Sequence, residues 1–235
     1  MQLTDAKIFI TGGSAGIGLS IAELALQKGA QVVINGRDEA RLQSAGSQLG
    51  VTTAAGDVGV PAAAASMVET AASAMGGLNV LINNAGWGVR MPLDELDPEQ
   101  FEAMWRTNVL GASLVAHHCV PHLKAAGGGS IVNMASTAAR RGYANGSGYC
   151  STKFALTALT QCWQGELRPH DIRVMQINPS EVQTGFGGRD PNRDMDPKKL
   201  IGADIAHATI AALEMADRGF IPELTVFATN PWPAE

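Results

Sequence analysis

The chain is poor in cysteine, in tyrosine and in charge of either sign. Its 235 residues include three cysteines and two tyrosines, and only 17% are Asp, Glu, Lys or Arg. Cys119, Cys150 and Cys162 are odd in number and form no CxxC pair, which argues against a disulfide framework or a thiolate metal site and favours small buried side chains. The formal net charge is -5 and no basic run occurs. A sequence-independent grip on nucleic acid is therefore not expected, because it needs clustered Lys and Arg to neutralise phosphates. No stretch approaches ~18 uninterrupted apolar residues. The N-terminus enters a strand-like pattern at once, without the basic segment and long apolar run of a cleaved leader, so no membrane is expected and the cytoplasm is the default location. His118 and His122 share a helical spacing that two metal ligands can use, but no acidic partner accompanies them in that segment, and no metal is expected.

What is present is apolar and evenly spread, at 46% of residues, enough for one sizeable core and a single domain over 1–235. Short β-branched and apolar runs suggest strands near 7–11, 31–34, 51–55, 79–83, 130–134, 173–177 and 224–227. Between them, patterns of helical period fall near 17–28, after Asp38, after Pro61, from 98 to 124 with a break near Asn108, over 149–167 and over 204–215. Strands that alternate with helices need crossover connections. Right-handed crossovers give an α/β fold: a doubly wound, Rossmann-type parallel sheet with helices on both faces. Residues 185–200, beginning GFGGRDPNRDMDPKK, lack regular patterning and suit a substrate-binding lid loop or a plain surface loop.

Directly after the first strand stands Thr11-Gly12-Gly13-Ser14-Ala15-Gly16-Ile17-Gly18. Its glycines let the chain turn tightly and bring backbone N–H groups and a helix N-terminus against a pyrophosphate. After the second strand come Asn35-Gly36-Arg37. No carboxylate stands there to receive a free ribose hydroxyl, and Arg37 can hold a 2′-phosphate, which favours NADP(H) over NAD; otherwise Arg37 is a solvated residue before a helix. Asp38 suits an N-cap better than a ribose ligand.

Tyr149 and Lys153 form a Y-x-x-x-K pair, one turn apart on one helix face. A neighbouring ammonium favours the ionised phenol, so the pair is expected to bring the Tyr149 pKa from about 10 toward working pH, where proton transfer is most effective.

Taken together, TGGSAGIG, Asp57-Val58, Asn83-Asn84-Ala85-Gly86, Asn108, Ser136, Tyr149-Cys150-Ser151-Thr152-Lys153 and Asn178-Pro179-Ser180-Glu181-Val182-Gln183-Thr184 resemble the short-chain dehydrogenase/reductase family in its single-domain branch. The resemblance implies that Gly12, Ser14, Gly16, Ile17 and Gly18 surround the cofactor phosphates and ribose, with Asp57 and Val58 at the adenine. Asn84, Ala85 and Gly86 would pass beneath the cofactor, and Pro179, Val182 and Thr184 would lie beside it. It also implies a catalytic tetrad. Ser136 would hold the substrate oxygen, Tyr149 would exchange its proton, Lys153 would bind the nicotinamide ribose and acidify Tyr149, and Asn108 would hold a relay water. Ser180 follows Pro179 where many relatives have glycine.

The resemblance implies an NADPH-dependent reductase of ketones or aldehydes, working reversibly as a homo-oligomer, dimer or tetramer, on a small carbonyl or alcohol substrate. A 3-oxoacyl-(acyl-carrier-protein) reductase is the alternative, and a non-catalytic NADP(H)-binding sensor or scaffold is a reading from another class. Trp87, Tyr143, Phe186 and Trp232 are candidates for apolar pocket walls or for packing elsewhere.

Overall fold

The computed structural model describes residues 1–190 and 193–230; Trp232 lies outside them. Seven strands form one sheet: β1 (Lys7–Ile10), β2 (Gln31–Gly36), β3 (Thr52–Ala55), β4 (Val80–Asn83), β5 (Gly129–Met134), β6 (Ile172–Pro179) and β7 (Glu223–Val226). They are ordered β3-β2-β1-β4-β5-β6-β7 and every pairing is parallel. The helices are α1 (Gly16–Gln27), α2 (Glu39–Leu49), α3 (Pro61–Met75), α4 (Pro98–Trp105), α5 (Ala112–Ala125), α6 (Ser147–Leu167) and α7 (Gly202–Leu213).

The period of two along each strand divides the core into two layers. Ile8, Ile10, Val32, Ile34, Val80, Ile82, Val132, Met175 and Ile177 face one layer, against α1, α2 and α7. Phe9, Val33, Leu81, Ile131 and Val174 face the other, against α3, α5 and the end of α6. Local signals set the helix starts. Asp38 caps α2 by accepting a hydrogen bond from Arg41 N at 3.0 Å, Asp97 caps α4 through Glu99 N and Gln100 N, and Pro61 and Pro98 occupy first-turn positions.

One expected boundary is corrected. The chain does not break near Asn108; a π-helical turn, Arg106–Gly111, joins α4 to α5, and the backbone stays helical at both of its ends. The extra residue of such a turn re-aims side chains without ending the helix, and such turns are frequent at functional sites. Cysteine burial also differs from expectation at one position: Cys119 and Cys150 are buried, but Cys162 is exposed. His122 pairs with Glu69 at 3.1 Å, an acidic partner from α3 that its own segment does not contain.

A polar rung crosses the apolar layer where β4 meets β5. Asn83 and Asn133 are register partners; Asn83 Nδ2 donates to Asn133 Oδ1 at 3.1 Å and to Ala112 O at 3.2 Å. Asn133 Nδ2 donates to Thr160 Oγ1 at 2.8 Å. Two central strands are thereby tied to α5 and to α6, and all of these groups are shielded from water. Removing one partner leaves buried donors and acceptors unpaired, which costs about 1–3 kcal/mol. Asn133→Ala is expected to lower the urea unfolding free energy by about 2–3 kcal/mol; unchanged stability would show that the rung does not bind sheet to helix.

Candidate active site

Chain order reverses between β1 and β4, where the strands on either side diverge in connection. A crevice opens at such a switch point, beyond the carboxyl ends of the strands. The segment 11–18 leaves β1 there, and Asn84, Ala85 and Gly86 leave β4 beside it. Thr11 joins the two turns: its Oγ1 accepts from Asn84 N and Ala85 N, each at 3.0 Å. Asn84 Nδ2 donates back to Thr11 O and Gly12 O, also at 3.0 Å. Below them Asn35 is buried, with Nδ2 donating to Ala54 O at 2.9 Å and Gly56 O at 3.0 Å, while its backbone carbonyl accepts from Gly13 N at 2.8 Å.

The glycine turn has the form of an anion cradle. Gly12 and Gly16 have φ of 63° and 56°, values that disfavour residues with a Cβ. A Cβ on Gly18 would collide with Gly12 O. The N-cap of α1 is Ala15, which supplies no side-chain acceptor, so the first-turn N–H groups of Gly16, Ile17 and Gly18 are left for an anion. Thr184 closes one side, its Cβ 3.3 Å from the point where a Gly16 Cβ would lie. These features fit a dinucleotide pyrophosphate.

At the end of β2, the Ser14 hydroxyl lies 2.9 Å from where a Gly36 Cβ would stand. Arg37 is exposed and reaches Asp57, Nη1 to Oδ2 at 3.6 Å. The other Asp57 oxygen accepts from Gly59 N at 2.8 Å. Val58 is buried against Gly111 of the π-helical turn. Pro179 ends β6 in a buried position, and Ser180 N donates to Val226 O at 2.9 Å, which fixes the path after it. Val182 forms a bridge with Leu200, and Gln183 ties the base of the 185–200 segment through Asp196 N at 2.7 Å and Asp196 O at 2.8 Å.

Beyond β5 and β4 the four tetrad candidates come together. Ser136 follows β5, its Oγ accepting from Ala138 N at 3.1 Å. Tyr149 sits in the first turn of α6, hydrogen-bonded to Ser136. Lys153, one turn on, is buried; its Nζ donates to Met134 O at 2.8 Å and lies 5.7 Å from the centroid of the Tyr149 ring. Asn108 holds Trp87 at both backbone groups, Oδ1 accepting from Trp87 N at 3.0 Å and Nδ2 donating to Trp87 O at 2.8 Å. A Cβ on Gly86 would lie 3.2 Å from Asn108 Oδ1 and 3.6 Å from Lys153 Nζ. The absence of that Cβ brings turn, amide and amine together.

The electrostatics correct the expectation drawn from sequence spacing. Burial pushes the Tyr149 hydroxyl well above its ordinary value; the Ser136 hydrogen bond pulls it down, and Tyr143 and Cys150 add to the rise. The ammonium does not reverse this, because it is turned to the Met134 carbonyl and is itself desolvated, with the Lys153 pKa lowered to about 8. In the protein alone the phenol stays protonated.

Two further residues hold this arrangement. Thr152 Oγ1 accepts from Asn108 Nδ2 at 3.0 Å and donates to Tyr149 O at 2.8 Å, linking the π-helical turn to the backbone of the tyrosine. The i,i+3 spacing of Thr152 from Tyr149 was the available sequence signal. Trp87, a candidate pocket wall, instead donates Nε1 to Thr107 Oγ1 at 3.3 Å and braces the turn. Phe186 is at the cleft, its ring 5.6 Å from that of Tyr149, and Tyr143 lies close enough to Tyr149 to affect its ionisation.

Residues 6–194 match the short chain dehydrogenase family, and the chain belongs to that family of oxidoreductases. An uncharacterised oxidoreductase of Staphylococcus saprophyticus is 32% identical, covering 96% of this chain and 98% of the relative. An alcohol dehydrogenase from the archaeon Thermococcus sibiricus, solved with 5-hydroxy-NADP, superimposes with a TM-score of 0.88 at 28% identity, over 98% of this chain and 100% of that one. A 3-ketoacyl-(acyl-carrier-protein) reductase from Brucella melitensis, solved with NADH, gives 0.86 at 29% identity over 94% and 96%. No helix among the described residues is long and apolar enough to cross a membrane.

Thr152 hydrogen-bonds both Asn108 and the Tyr149 backbone, and a positioning role through them is expected. Thr152→Val, which keeps the volume and removes the hydroxyl, is expected to lower kcat by about tenfold with little change in KM, the loss of a buried hydrogen bond being worth about 1–3 kcal/mol. Thr152→Ser is expected to restore most of the rate. A serine variant as slow as the valine one would assign the effect to packing.

Proposed function

We propose that the chain is an NADPH-dependent oxidoreductase that reduces a ketone or aldehyde to an alcohol, reversibly, with Tyr149 as general acid or base. The observation that carries this reading is the neutral, buried Tyr149 hydroxyl beside Ser136, with the Lys153 amine near its ring. Gly12, Ser14, Gly16, Ile17 and Gly18 would hold the cofactor phosphates, Asp57 and Val58 the adenine side, and Pro179, Val182 and Thr184 the nicotinamide side. Asn84, Ala85 and Gly86 would form the floor. When bound, the nicotinamide supplies or accepts the hydride.

Ser136 would donate a hydrogen bond to the substrate oxygen and fix it in reach of Tyr149. Tyr149 would deliver its proton as negative charge develops on that oxygen, so that no free alkoxide forms. Lys153 would then favour the tyrosinate left behind, and Asn108 would hold the relay that returns a proton. The segment 185–200 would cover the substrate as a lid within one domain spanning 1–235, and the protein would work in the cytoplasm as a homo-oligomer.

Arg37 favours NADPH over NADH. Its partner Asp57 is half-exposed at 3.6 Å, a weak surface pair that a 2′-phosphate can displace with charge-assisted hydrogen bonds. A 3-oxoacyl-(acyl-carrier-protein) reductase activity is supported by the likeness to the Brucella enzyme. A sensor without turnover has no use for the Ser136, Tyr149 and Lys153 arrangement.

Three measurements test the reading. Tyr149→Phe is expected to slow NADPH oxidation with reactive diketones by about 10²–10⁴-fold while leaving NADPH binding in place; full activity in that variant would remove Tyr149 from the chemistry. Arg37→Gln is expected to lower kcat/KM for NADPH by about 10–100-fold and to affect NADH little; equal losses with both cofactors would show that Arg37 does not read the 2′ position. Because burial depresses the Lys153 pKa, its charge is present below and lost above about 8. The reduction rate is accordingly expected to fall as pH rises through about 8, and a rate that stays level to pH 10 would contradict a role for the ammonium.

A further inference from the structure

The cationic side chains near the cleft are mostly engaged. Arg140 pairs with Glu223 and Arg189 with Glu181 at 3.0 Å, while Arg193 donates to Thr184 O at 3.0 Å. Arg90 differs. No ion pair engages it among the described residues, and its guanidinium lies over the Tyr143 ring, 5.3 Å from the centroid.

The position is built. Gly88 lies flat on Tyr149, since a Cβ there would fall 2.5 Å from Tyr149 Cδ2. Two residues on, Arg90 is held in register with the 143–146 turn by Met91 N, which donates to Asn145 O at 2.9 Å. Gly146 gives the Tyr143 ring its seat, a Cβ there falling 2.5 Å from Tyr143 Cε2. The apolar ring of Phe186 flanks Tyr149. Arg90 and Tyr143 thus border Tyr149, through Gly88 on one side and through the approach of Tyr143 to Tyr149 on the other.

We infer that Arg90, seated on Tyr143, recognises a carboxylate, so that the substrate is an oxo acid and the product the corresponding hydroxy acid. This rests on the reductase reading proposed above. A guanidinium meets a carboxylate with two parallel hydrogen bonds, and its five N–H groups allow this beside the one hydrogen bond that Arg90 makes to the Tyr143 side chain. The same geometry reaches the Tyr143 hydroxyl: burial raises its pKa, the neighbouring Cys150 adds to the rise, and Arg90 opposes it. The reduction balances without further reagents. NADPH gives a hydride to the carbonyl carbon, Tyr149 gives a proton to the oxygen, and the carboxylate is unchanged.

The test uses 2-, 3- and 4-oxo acids beside their methyl esters, with NADPH, on the full chain and on Arg90→Gln and Arg90→Lys. At least one acid is expected to exceed its ester by about tenfold or more in kcat/KM. Arg90→Gln is expected to bring that ratio to about one by raising KM for the acid, and Arg90→Lys to retain part of the preference. The acid should also raise the melting temperature of Tyr149→Phe with NADPH bound, and this shift should vanish when Arg90→Gln is added. Esters reduced as well as acids, or a preference untouched by Arg90→Gln, would overturn the carboxylate inference while leaving the reductase reading intact. A chain inert toward every acid and ester, and toward diketones as well, would overturn both.

Discussion

A lysine carried into a dry interior has to be held by dipoles, and much of the cleft end of this molecule is arranged around that requirement at Lys153. Its ammonium has lost its water and gives one hydrogen bond to the carbonyl that ends β5. The cost is visible in its pKa, brought down to about 8. The surrounding groups are compatible with a cation: a peptide carbonyl, the face of an aromatic ring and the side-chain oxygen of Asn108 beside Gly86. The same exclusion of water keeps the neighbouring phenol protonated. Burial thus acts on both groups at once, holding the phenol protonated and drawing the pKa of the neighbouring amine down.

Holding such a pair requires rigid supports from several elements. The β4–β5 rung of Asn83 and Asn133 reaches Thr160 on α6, and Thr152 on the same helix reaches Asn108 on the π-helical turn. Asn108 in turn grips the backbone of Trp87, next to the turn that follows β4. On the opposite side of the crevice, Thr11, Asn35 and Asn84 fix the glycine turn without occupying the open end of α1. Polar side chains that look anomalous in an apolar sheet therefore help to fix the glycine turn after β1 and the Tyr149 end of α6.

Much of this was legible in the amino-acid order. The strands and helices lie where periodicity indicates because buried parallel strands and one-sided helices leave strong patterns. The glycine turn and the Tyr149–Lys153 spacing identify the two halves of the site because each depends on local geometry. What escaped depends on contacts distant in sequence. A π-helical turn has no composition of its own, so the helix read as breaking near Asn108. The sequence leaves Trp87 open between a pocket wall and packing elsewhere because its partner, Thr107, lies twenty residues away. The direction of the Tyr149 shift was misjudged because spacing reveals the charged neighbour but not the loss of water, and here desolvation outweighs the charge. Arg37 was read by its charge alone, without Asp57 across β3.

The buried, protonated phenol can be observed directly, since the chain has only two tyrosines. In Tyr143→Phe a single phenol remains, and its ionisation can be followed by ultraviolet difference absorbance as pH is raised. Tyr149 is expected to stay protonated through the region near 10 where a free tyrosine titrates. A phenolate that appears at or below that value in the folded, cofactor-free protein would contradict the dominance of burial at this site.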